Sequence, residues 1–151
     1  MFHDQQREQL RAMYFAAWDK ARRGAPLEPL ERQLAELIER HPEYHALLAR
    51  PEVSLEREFT PEGGQSNPFL HLGLHMALIE QVGTDRPPGI RALWQQLCAR
   101  HGDDHTAEHA MMEVLAETLW QAQREQRAPD ETTYLAALRG LAGDSRDRQD
   151  G

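Results

Sequence analysis

Six of the chain's eight histidines stand in pairs four residues apart: His41 with His45, His71 with His75, His105 with His109. Random scatter over this length would give roughly 0.4 such pairs. On a helix, residues i and i+4 lie one above the other on the same face, so two imidazoles can converge on one ion. The middle pair is the most telling. Residues 69–79 are apolar or glycine at every position except His71 and His75, a pattern expected of a helix buried on all sides. An imidazole buried without a partner costs about 1–3 kcal/mol. Two stacked in one helix therefore need either two separate acceptors, as ordinary core histidines, or one shared ligand.

The third pair continues the i+4 spacing into Glu113. On a helical wheel His105 and His109 share an arc with Met112, Ala116 and Trp120, which points them at a core, and Glu113 falls at the edge of that arc. Glu108 lies on another part of the apolar face, beside Leu115 and Leu119, and is a weaker candidate. In the first pair, Pro42 disturbs the geometry between His41 and His45, so the pair supplies one ligand or two, or His41 only caps a helix end. The candidate metal ligands are thus His41, His45, His71, His75, His105, His109 and Glu113. Many imidazoles and few carboxylates suit a mono- or dinuclear site for zinc or iron first, then nickel, copper or manganese, over magnesium or calcium. A catalytic ion would serve metal-activated hydrolysis or non-haem iron redox chemistry. The rival from another class is a non-enzymatic helical interaction module whose histidines are structural or pH-sensing. Haem held between histidines ranks last.

Other chemistries lack their motifs. The chain has no glycine-rich phosphate loop, HExxH, CxxC or CxxCH. With 25 acidic residues against 17 basic and a net charge of −8, a phosphate-tracking surface for nucleic acid or an anionic membrane is not expected. No apolar run approaches the roughly 20 residues of a membrane span. The single cysteine, Cys98, excludes an intrachain disulfide, and a cytoplasmic setting is expected.

The elements that position these residues are helical throughout. We expect an all-α, single-domain bundle of about six helices over residues 1–141, a disordered tail over 142–151, and a long loop at about 49–66. The first helix is bounded by Asp4 and Gly24, with Leu10, Met13, Tyr14, Ala17, Trp18 and Ala21 as its apolar face. Pro29 starts a second helix that runs to His41, and Pro42 restarts the chain. The long loop has room for one helical turn near 54–59. Asn67-Pro68 is a strong start for a third helix closed by Gly83. A fourth ends at Gly102, a fifth capped by Asp103 or Asp104 reaches about Arg127, and a sixth begins at Pro129-Asp130.

The strings Glu28-Pro29-Leu30-Glu31, His41-Pro42-Glu43-Tyr44-His45, Asn67-Pro68-Phe69-Leu70-His71-Leu72-Gly73-Leu74-His75 and Glu108-His109-Ala110-Met111-Met112-Glu113 resemble an uncharacterised bacterial family, domain of unknown function eighteen-forty-one. The resemblance covers about residues 1–141 and implies a stand-alone intracellular domain, with no activity attached. Haemerythrin-like bundles also hold irons with helical histidines and a carboxylate, but their spacing differs from the three HxxxH pairs here.

Overall fold

The computed structural model describes residues 2–54 and 67–143. Among these residues every regular element is helical, as the periodicity requires. Six helices of eleven residues or more are α1 (Phe2–Arg22), α2 (Pro29–Glu39), α5 (Pro68–Thr84), α6 (Ile90–His101), α7 (Asp104–Arg124) and α8 (Glu131–Leu141). Between α2 and α5 lie a 3-10 turn, Pro42–Tyr44, and two single-turn helices, α3 (His45–Leu48) and α4 (Pro51–Ser54). The expected turn near 54–59 lies outside the described residues apart from Ser54, the last residue of α4, as does most of the expected tail. Contacts gather into two compact units, residues 1–72 and 73–151.

The first unit is built on the α1–α2 hairpin. Gly24 takes a positive φ of 71° and turns the chain after α1. Pro29 opens α2 inside a capping box in which Glu28 and Glu31 satisfy each other's backbone N–H groups. Leu34, Ala35, Leu37 and Ile38 then give α2 its buried stripe. The buried face of α1 is rotated from the expected one: Arg11, Phe15 and Ala17 are buried, whereas Leu10 and Met13 are exposed. The rotation follows Phe69 at the start of α5, whose ring meets Tyr14, Phe15 and the Arg11 guanidinium. Helix α1 begins before Asp4, so Asp4 is not its cap.

The second unit packs the rest of α5 with α6, α7 and α8 around Leu78, Ile90, Leu93, Leu97, Met111, Leu115, Tyr134 and Leu138. Helix α5 is not buried all round: Leu70 is 60% exposed, and its inward positions are Phe69, Leu72, His75 and Leu78. It also runs one residue past Gly83 to Thr84, and Asp85 takes the left-handed turn with φ 53°. Arg91 of α6 reaches back to the Val82 and Gly83 carbonyls at 3.0 and 2.7 Å, covering acceptors that a helix end leaves open. Tyr134 of α8 donates its hydroxyl to Gln81 of α5 at 2.7 Å.

Helix α7 carries the third histidine pair, and Asp103 caps it by accepting from the Thr106 N–H at 2.8 Å and its hydroxyl at 2.7 Å. Those bonds, the hydroxyl's first, hold the Asp103 carboxyl below its usual value. Folding therefore favours the ionised form. The contribution is present above the ordinary aspartate pKa of about 3.9 and is lost as pH falls through the lower folded value. Replacing Asp103 with alanine should lower the melting temperature at neutral pH, with the gap to the parent closing in acid. A gap that stays constant through the acid range would mean the cap's charge contributes nothing.

Candidate metal centre

The two units use their histidines differently. In the first, helix α2 ends at Glu39, three residues ahead of Pro42, and the Leu37 and Ile38 carbonyls of its last turn take backbone bonds from Arg40 and His41 at 3.1 and 2.9 Å. His41 is fully buried and donates Nδ1–H to the Leu37 carbonyl at 2.8 Å. His45 donates Nε2–H to the Ile38 carbonyl at 2.9 Å and lies against Trp18 with centroids 4.5 Å apart. Both members of the pair therefore close the C-terminus of α2. This use leaves the lone pair of His41 on Nε2 and that of His45 on Nδ1. His71, at the start of α5, meets the His41 ring edge-on at 5.0 Å and the Tyr44 ring at 5.7 Å.

In the second unit, α5 and α7 bring His75, His105 and His109 together. One ring nitrogen of each lies within 4.8 Å of the others'. The His105 and His109 rings are 4.0 Å apart, the spacing that i,i+4 placement near the start of α7 imposes. The His75 ring faces them at 5.5 and 5.2 Å. A tetrahedral zinc site with bonds of ~2.0–2.1 Å needs donors about 3.3 Å apart. His105 and His109 are only half-buried, so modest rotation of their side chains closes that gap.

His75 is fully buried, and its Nε2 stands 2.6 Å from Oε1 of Glu108 on α7. The other oxygen, Oε2, accepts from the indole N–H of Trp94 on α6 at 3.1 Å. Glu108 itself is only 6% exposed. A carboxylate so placed must be matched by donors, and the two N–H groups match both its oxygens. Sequence reasoning ranked Glu108 below Glu113; the structure reverses their settings. Glu113 is exposed and lines a surface cavity of about 400 Å³ with Val114, Glu117, Thr118 and Gln121. It lies outside the gathered histidines. Trp120, expected on the inward arc, is also exposed, with Arg124 over its ring. Cys98 is half-buried, and its thiol is pushed up by burial and then by the charges of Asp104, Glu108 and Asp103, which keeps it from serving as a thiolate.

An all-α protein with three converging imidazoles and a buried carboxylate behind one of them is a class, not an activity. The chain belongs to the family described as Domain of unknown function (DUF1841), whose model matches residues 6–140, across both units. No curated protein and no solved structure matches it. Among the described residues, no helix is long and apolar enough to cross a membrane.

Truncating Glu108 would leave the His75 and Trp94 N–H groups facing each other across a small void. At about 1–3 kcal/mol for each stranded donor, Glu108→Ala should cost about 2–6 kcal/mol of stability in chelator-treated protein, measured by urea unfolding. A loss under about 1 kcal/mol would mean that water replaces the carboxylate at no cost.

Proposed function

We propose that this protein binds a transition metal, and that His75, His105 and His109 are its ligands in the second unit. The observation that carries the reading is the meeting of the α5 and α7 histidines, whose ring nitrogens converge although the two helices are separate in sequence. Three imidazoles on two packed helices suit zinc or iron, with nickel, copper and manganese as further ions such donors accept. Three protein ligands leave a coordination position open for water, whose pKa a bound zinc or iron would lower. His45 is better explained as a cap of α2, and Nδ1 of His41 serves the same end, so the structural role weighed for these histidines has support in the first unit.

Purified untagged protein should take up zinc on titration and melt at higher temperature with it, since a ligand that binds only the folded state at 100 times its Kd adds about 2.7 kcal/mol. His75→Gln should remove most of that increment. Adding His109→Gln to it should then cost little more, because both side chains serve one ion. Losses that add, and that are equal with and without zinc, would show three independent core histidines instead of a site.

A further inference from the structure

The contacts of Glu108 do more than hold helices together. We infer that Glu108 is a positioning residue for the metal site: it fixes the proton of His75 on Nε2 and thereby makes Nδ1 the ligating nitrogen. The inference rests on the proposed metal site, but part of it stands without any metal.

An imidazole that ligates must present a lone pair, and which nitrogen carries it is set by the hydrogen bond the other one makes. His75 Nε2 is 2.6 Å from Glu108 Oε1, and a carboxylate oxygen can only accept. The proton therefore sits on Nε2. Trp94 makes this arrangement strict. Its indole is a donor only, and it occupies Oε2 at 3.1 Å. Two donors thus converge on one side chain from α5 and α6, and only a side chain with two acceptor oxygens satisfies both. Glutamate does so and glutamine does not. An amide at position 108 must turn its NH2 toward either Trp94 or His75. Facing Trp94, it sets donor against donor. Facing His75, it demands that Nε2 become an acceptor, which moves the proton to Nδ1 and removes the ligand lone pair.

Such partners of ligating histidines typically change metal affinity about 10–100-fold when altered. Glu108→Gln, almost the same size as the parent, should therefore weaken zinc binding about 10–100-fold in competition with a chromogenic chelator. Trp94→Phe alone, which keeps the bond from His75 to Glu108, should weaken zinc binding less than Glu108→Gln does. The double variant, Glu108→Gln with Trp94→Phe, should recover most of the loss, because removing the indole donor lets the amide oxygen return to His75. A packing role for Glu108 gives no such rescue. Proton-detected nitrogen NMR of the metal-free parent reads the tautomer directly and needs no variant to fold: His75 should carry its proton on Nε2 and none on Nδ1. A proton on Nδ1 overturns the inference, as does zinc affinity unchanged in Glu108→Gln or unrescued in the double variant. A parent that shows the Nε2 tautomer but binds no zinc would overturn the metal reading and leave the carboxylate's control of the tautomer standing.

Discussion

The second unit is organised around a carboxylate that apolar surroundings would reject if it were alone. Glu108 is 6% exposed and belongs to the buried face of α7 with Met111 and Leu115, where an unmatched charge is not tolerated. Its two oxygens are met by one N–H from α5 and one from α6. Three helices are thereby held in one register by one side chain. Leucine contacts would tolerate a small slide of α7 along α5, because dispersion has no direction. Hydrogen bonds of 2.6 and 3.1 Å to fixed ring nitrogens tolerate far less. The register matters for His105, one turn before Glu108, and for His109, the next residue, whose rings stand 5.5 and 5.2 Å from that of His75.

The same residue type does unlike work in the two units because the backbone around it differs. Ahead of Pro42 the helix ends, and the Leu37 and Ile38 carbonyls, each bonded to one backbone N–H, accept a second bond from the imidazoles of His41 and His45 at 2.8 and 2.9 Å. Inside α5 and α7 the backbone continues as helix, and the rings of His75, His105 and His109 meet one another between the two helices instead.

Much of the fold was legible because its signals are local. Asn67-Pro68, Asp103 and Asp130 cap the helices that they precede, and Gly24 and Gly102 close those that they follow. The inward direction of His105 and His109 was legible too, from period, and the burial of His75 from the apolar run around it. What escaped was every feature set by another helix. The face of α1 turned because Phe69 seats against it, a contact more than fifty positions away in the chain. Glu113 drew attention by continuing the i+4 series, whereas Glu108 is joined to its partner across thirty-three residues. One signal could have found it. A glutamate on the same arc as Leu115 and Leu119 either spoils an apolar face or has a buried donor waiting, and a neighbouring helix with a buried histidine supplies one.

Charge gives the last reason why that carboxylate belongs to the proposed site and is not incidental to it. Three neutral imidazoles bring no charge of their own, so a divalent ion among them would carry its full double charge into a partly dry setting. Glu108 stands behind His75, whose imidazole would lie between its oxygen and such an ion. Through that ring its negative charge would make the ligating nitrogen more basic and offset part of the ion's charge without taking a coordination position. A carboxylate bound directly to the ion would neutralise more but would fill the position that three histidines leave open. Without an ion the two N–H groups already match the same charge. A site assembled in this order would be preorganised at His75: the cost of burying the carboxylate is met in folding, and only the half-buried His105 and His109 would have to turn toward an ion.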